Sequence, residues 1–365
     1  MILMKMKNLM NKTVVLTFVL LFAFQAQACS SGNESDENPT SPVITEAVKP
    51  TVNVETIGKT ADKPFGDGSG KIHLTISAAD SKSIKVTINS KVIENATGDF
   101  IYEFQESGNK DYTIEVTSFN GIKYASTSVT GSIFVARKLI WSDEFDVNGS
   151  PNTSKWGYDL GTGNGFGNNE LQYYTNRPEN VVIENGILKI KAIKEEYQGS
   201  HYTSSRMLTK GKFSFKYGRA EVRAKLPVGG GTWPAFWMLG DNIDTAGWPL
   251  CGEIDILESV GNSPNVIHSS LHSPGRSGNT PDTATTTNPT AYTEFHIYAA
   301  EWNAENIKFF VDDKLFYTYK NSASTPFNEK FFIIMNLAMG GNFGGIVDPN
   351  FTSATYEIDY VRVYN

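Results

Sequence analysis

From about residue 50 onward the chain is dominated by short runs in which apolar and polar residues alternate. Ile72, Leu74 and Ile76 alternate with His73 and Thr75. Ile84, Val86 and Ile88 repeat the pattern, as do Tyr112, Ile114 and Val116. A two-residue period puts one kind of side chain on each face of a strand. Gly66-Asp67-Gly68-Ser69-Gly70 and Asn120-Gly121 supply the turns between such runs. Strands this short and this closely spaced predict a small β-sandwich of immunoglobulin type over residues 51–136. It carries no catalytic cluster; His73 is expected on a strand surface, and a spacer role is the default.

The second unit is expected over residues 138–365. Strand runs recur at Gly186 to Ala192, Gly218 to Leu226, Ile297 to Trp302, Ile307 to Val311, Phe331 to Leu337 and Tyr356 to Tyr364, punctuated by Gly, Asn and Pro. No amphipathic helix of three turns interrupts them. An all-β chain follows, in which the larger unit is a jelly-roll sandwich of curved sheets packed face to face. The concave sheet of such a sandwich offers a groove for a linear polymer.

One strand departs from its own alternation. In Gly252-Glu253-Ile254-Asp255-Ile256-Leu257-Glu258-Ser259, Ile254 and Ile256 alternate with Glu253 and Asp255, so one face is apolar and the other acidic. The third acid comes one residue late. A β-bulge would turn Glu258 back onto the face of Glu253 and Asp255. A row of like charges costs folding energy unless it is used. Two glutamates leaning together could serve as the nucleophile and acid/base of a glycosidase. An edge strand with solvated acids, or a calcium site, is the competing explanation of the triplet by itself.

Composition narrows the choice. The chain has 365 residues and a formal net charge of −7, which argues against nucleic acid as a partner. All six tryptophans fall in the second unit: Trp141, Trp156, Trp233, Trp237, Trp248 and Trp302. Trp233 and Trp237 are four apart and so share one face of a strand, with Phe236 and Met238 on the other. Flat indole faces stack on sugar rings, and a wet groove would leave their N–H groups free to hydrogen-bond sugar. His268 and His272 are also four apart, but no third nitrogen or sulfur ligand for zinc accompanies them. Core packing and a surface salt bridge are the plainer roles for the tryptophans and for Arg206.

The N-terminus reads as a targeting segment over residues 1–28. Lys5, Lys7 and Lys12 precede a short apolar run from Val14 to Phe24, too short to span a membrane as a stable helix. Ala26-Gln27-Ala28 then leads into Cys29. This arrangement resembles a bacterial lipoprotein signal with Cys29 lipidated, which implies an outer-membrane lipoprotein exposed at the surface; ordinary cleavage and secretion is the alternative. Residues 29–50 form an acidic, polar tether. Cys251 is expected as a packed small hydrophobe without a disulfide partner.

Glu253-Ile254-Asp255-Ile256-Leu257-Glu258 resembles the signature of glycoside hydrolase family 16 in its bulged form. Ser142-Asp143-Glu144-Phe145-Asp146, Gly167-Asn168-Asn169-Glu170-Leu171-Gln172-Tyr173-Tyr174-Thr175, Thr232-Trp233-Pro234-Ala235-Phe236-Trp237-Met238-Leu239-Gly240, Gly247-Trp248-Pro249 and Ile358-Asp359-Tyr360-Val361-Arg362-Val363-Tyr364 extend the resemblance, in order, to the laminarinase branch. It covers roughly residues 138–365. The first unit resembles the polycystic-kidney-disease-type modules that accompany bacterial polysaccharidases.

The resemblance implies retaining endo-hydrolysis of β-1,3-glucan by a monomer that needs no cofactor for catalysis. Glu253 would be the nucleophile, Glu258 the acid/base, and Asp255 the partner of Glu253. Trp233, Trp237, Trp248, His272, Arg206 and Asn168 would line the groove, with His268 structural. A structural Ca²⁺ would sit on the convex side at Glu144, Gly186 and Asp359, held partly through backbone carbonyls. Phe343 stands where many relatives have Trp, which bears on the depth of one subsite. Mixed-linkage glucan or a galactan, and a non-catalytic glucan-binding role, are the alternatives. The acidic triplet speaks against the last, since such binders lose the catalytic acids.

Overall fold

A computed structural model describes residues 46–94 and 96–365. The signal segment, Cys29 and nearly all of the tether lie outside these residues. Two units are laid out along the chain, each with its own core. In the first, a three-stranded and a four-stranded antiparallel sheet enclose Ile72, Leu74, Val86, Ile114 and Val116. The alternating runs form the strands Lys71–Ser77, Ser83–Ile88 and Gly108–Asn120. His73 is partly exposed and hydrogen-bonds Asp99 at 2.8 Å.

The second unit consists of a ten-stranded and a seven-stranded sheet with one large apolar core. Its helical pieces among the described residues are single turns, such as Ile243–Ala246 and Gly341–Gly344. The seven-stranded sheet runs, by neighbour, Asp282–Thr287, Val266–His272, Glu253–Glu258, Thr232–Gly240, Phe331–Met339, Arg206–Leu208 and Gly157–Tyr158.

Phe331–Met339 lies inside this sheet and is buried along its whole length, because both of its faces are covered. Phe331, Ile333, Met335, Leu337 and Met339 join the main core. On the opposite face Phe332 and Ile334 pack with Leu208 and Trp237, and Ala338 packs with Trp233 and Val260. These two small clusters seat the indoles that sequence alternation assigns to one face. Phe236 and Met238 go to the core as expected.

Gly252 ends the approach to the acidic strand. Its φ is +78°, and a Cβ there would stand 3.0 Å from Phe331 and from Pro326. Both conditions select glycine.

The register at the opposite sheet bears on the expected calcium site. Strand Ser353–Tyr364 changes partner midway: Leu188 pairs with Ile358, and Asp143 with Val361. Gly186, Glu144 and Asp359 therefore flank one gap. The side-chain donors there do not fit a dication as they are arranged. Arg362 holds both oxygens of Glu144, at 3.0 and 2.8 Å, and Arg223 holds Asp359 at 2.5 Å. A cation would have to displace Arg223 or draw on main-chain carbonyls.

Candidate active site

The acidic strand carries the expected bulge. Asp255 pairs with Trp237 and Glu258 with Ala235, so the two residues 256 and 257 stand opposite Phe236 alone. The neighbouring strand shows the same shift between Asp255 and Glu258. Ile254, Ile256 and Leu257 enter the core. Glu253, Asp255 and Glu258 all turn to a groove of about 800 Å³ on the other face. Trp233, Trp237, Trp248, His272, Arg206 and Asn168 line the same groove.

Each side chain is held by a definite partner. Trp248 Nε1 donates to Glu253 Oε2 at 2.7 Å, and Trp233 Nε1 donates to Glu258 Oε1 at 3.0 Å. Trp237 Nε1 donates to Asn336 Oδ1 at 2.8 Å. The expectation of indole N–H groups free for sugar is corrected here: all three are committed within the protein, and the ring faces are what remains for stacking. The guanidinium of Arg206 lies between the rings of Phe166 and Trp237, 4.7 and 4.9 Å from their centroids, with Asp159 at 2.9 Å. Asn168 leans on Glu170 at 3.4 Å.

Two histidines face the groove. His272 Nε2 lies 3.3 Å from Asp255 Oδ2 and 3.9 Å from Glu253 Oε1. Glu253, Asp255 and His272 thus bring three potential ligand atoms within 4.8 Å of one another, a cluster that spacing along the sequence does not reveal. His268, expected to be structural only, also lines the groove. It pairs with Glu258 across the strands and meets Phe343 edge-on at 5.0 Å. Burial pushes its pKa down.

Burial raises the pKa of every acid in the triplet. Glu253 is pushed up to about 8 by burial and by Asp255 beside it, against the pull of His272 and the Trp248 N–H. Glu258 is pushed up to about 7 by burial, with the Trp233 N–H opposing. Asp255 is raised by burial and by Glu258. Near neutral pH the site therefore holds protons that free carboxyls would have lost. It has an acid to offer and a carboxylate beside it.

Sequence reasoning missed Asn336 and Glu170. Trp237 donates to Asn336, Asn336 to the Tyr174 hydroxyl at 3.1 Å, and Tyr174 to Glu170 Oε2 at 3.0 Å. Gln172 also donates to Glu170 Oε2, at 2.7 Å. This chain of buried polar groups braces the far side of the groove. A signal was available: Asn336 is the one polar residue in Phe331–Met339.

Two glutamates on one groove face, one able to hold a proton, with tryptophans around them, define a glycoside hydrolase. The comparisons agree. The sequence profile of glycosyl hydrolases family 16 matches residues 168–362, and the chain belongs to that family. It is 48% identical over 243 residues to a β-glucanase of Rhodothermus marinus, covering 62% of this chain and 85% of the relative. The crystal structure of the laminarinase from Rhodothermus marinus superposes with a TM-score of 0.61 at 48% identity, covering 63% of this chain and 98% of that one. A laminaritriose and laminaritetraose complex of a LamA variant from Zobellia galactanivorans gives 0.58 at 44% identity, covering 62% and 98%.

Proposed function

We propose that the chain cleaves internal β-1,3 linkages of a linear β-glucan with retention of anomeric configuration. The observation that carries this is the bulge, which sets Glu253 and Glu258 on one groove face with Asp255 between them. Similarity to laminarinases selects the polymer. Glu253 attacks the anomeric carbon while Glu258 protonates the departing glycosidic oxygen. Glu258, now a base, then takes a proton from the water that releases the glycosyl-enzyme.

Retention needs the nucleophile ionised and the acid protonated. Burial raises both glutamates, Glu253 to about 8 and Glu258 to about 7, so near neutral pH the pair keeps a proton for the leaving group. Activity should be bell-shaped in pH, peaking near neutrality.

The test is product analysis on laminarin, curdlan, lichenan and agarose, with ¹H NMR of the first-formed anomer. Oligosaccharides from laminarin with the β-anomer first are expected. An α-anomer first would end the retaining mechanism, and cleavage confined to lichenan or agarose would move the substrate to mixed-linkage glucan or a galactan. Binding without reducing-end release would make the chain a glucan-binding protein.

A further inference from the structure

We propose that Trp248 and Trp233 are positioning residues, each committing one oxygen of a glutamate and leaving the other for chemistry. This rests on the roles of Glu253 and Glu258 given above. Trp248 reaches Glu253 Oε2 from the loop ahead of the acidic strand and is half exposed. Trp233 reaches Glu258 Oε1 from the neighbouring strand and is buried against Val260 and Ala338. The two donors come from different elements, yet each meets one carboxylate.

An indole N–H only donates, and it keeps its proton across the working pH range. The oxygen it faces must act as acceptor. A proton on Glu258 then sits on Oε2, the oxygen turned away from Trp233, and that atom delivers it to the leaving group. On Glu253 the atom that Trp248 leaves free is Oε1. Its electron pair forms the bond to the anomeric carbon as the glycosidic C–O bond breaks. The departing oxygen keeps that bond's pair and takes the Glu258 proton. In the second half, Glu258 Oε2 takes a proton from water, and the water oxygen displaces Glu253 Oε1.

Other groups also meet these carboxylates: Asp255 shares a side-chain hydrogen bond with Glu253, and Ser270 one with Glu258. Glu253 is faced by Asp255, His272 and the Cys251 thiol. Glu258 is faced by Asp255, Glu253, His272, the Ser270 hydroxyl and, across the strands, His268. The Cys251 thiol points to the Gly252 carbonyl at 3.5 Å, and His272 stands 3.9 Å from Glu253 Oε1.

The experiment follows indole ¹⁵N–¹H signals of the full chain, labelled at tryptophan, between pH 4 and about 10, the span that brackets ordinary and raised carboxyl values. Signals are assigned with Trp248→Phe and Trp233→Phe. The Trp248 signal is expected to titrate in the native protein and to stop in Glu253→Gln. The Trp233 signal should titrate and stop in Glu258→Gln. Trp302, whose N–H meets the Phe327 carbonyl at 2.8 Å, is the internal control. In turnover, each Trp→Phe variant should move the pH optimum upward by about half to one unit, because a lost donor raises its carboxyl. Indole signals that ignore pH, or that titrate unchanged in the matching Gln variant, would overturn the proposal. These signals need no turnover. An inactive native enzyme with titrating indoles would count against the functional assignment, and an active one with silent indoles against this inference alone.

Discussion

The backbone N–H of Gly278 points at His272 Nδ1, 3.2 Å away. That contact makes Nδ1 the acceptor of the ring, so in the neutral imidazole the proton sits on Nε2. Nε2 is the atom that faces Asp255 and Glu253. His272 therefore turns an N–H toward the acids, where Asp255 Oδ2 is buried without a hydrogen-bond partner. For the same reason, the cluster of Glu253, Asp255 and His272 is a poor metal site. A metal on Nε2 would need the proton on Nδ1, directly opposite another N–H.

His272→Phe keeps a ring and removes this donor; His272→Gln restores an N–H at similar reach. Hydrogen bonds to charged groups contribute about 1.5–3 kcal/mol. The Phe variant should therefore lose about 10- to 100-fold in kcat, and Gln should recover much of it. Steady-state kinetics on laminarin decides: equal losses in both variants would mean that the donor is irrelevant.

Asp255→Asn tests what the middle acid does to its neighbour. The charge of Asp255 helps push Glu253 upward, so removing it lets Glu253 ionise at lower pH. The pH optimum should fall, the opposite of the change expected for Trp248→Phe. The kcat should fall too, since a neutral amide replaces the carboxyl that faces His272 Nε2. The check is a kcat/KM profile in which the acid limb moves to lower pH.

How much of this was legible follows from the range of each signal. The bulge was readable because Glu258 breaks a period of two within six residues, and the shared face of Trp233 and Trp237 followed from the same period. Local pattern says which way a side chain points. It cannot say what stands opposite, because that is set by register between distant segments. Trp237 meets Asn336 across 99 residues, and Asn336 meets Tyr174 across 162. The Gly278 contact depends on the path of a loop, and glycine there gives no sign that its N–H has a task. His268 is a related case: its place on the groove comes from pairing with the bulged strand. The residues expected to hold calcium share a gap in the sheet, yet arginines from neighbouring positions take the carboxylates of Glu144 and Asp359.

Arg206 is fixed by two aromatic faces, and only guanidinium has the planar shape to fill that space. Arg206→Lys keeps the charge and loses the sandwich between Phe166 and Trp237. Stacking of this kind contributes about 1–2 kcal/mol when shielded from water. KM for laminarin should rise about 5- to 20-fold with kcat nearly unchanged, and Arg206→Ala should add little to the loss. A large fall in kcat in the Lys variant would place Arg206 nearer the chemistry than the groove geometry does.

The acids assigned to catalysis should also destabilise the fold at high pH. An unfolded glutamate has a pKa of about 4.3, whereas in the folded chain Glu253 rises to about 8 and Glu258 to about 7. Both are largely shielded, Glu253 with 18% of its side chain exposed. Between those values the folded state binds more protons than the unfolded one, so stability falls as pH rises. The loss begins near pH 4 to 5 and is complete only above the folded values. Each pH unit in that window is about 1.4 kcal/mol per group, so Glu253 by itself accounts for a few kcal/mol. Glu253→Gln has nothing to ionise at this position. Urea unfolding should find the variant close to native stability at pH 5 and clearly more stable at pH 9, with turnover lost at both. A difference that does not grow with pH would mean that the buried carboxyls keep near-ordinary values and that the proton needed for acid catalysis is held by something else.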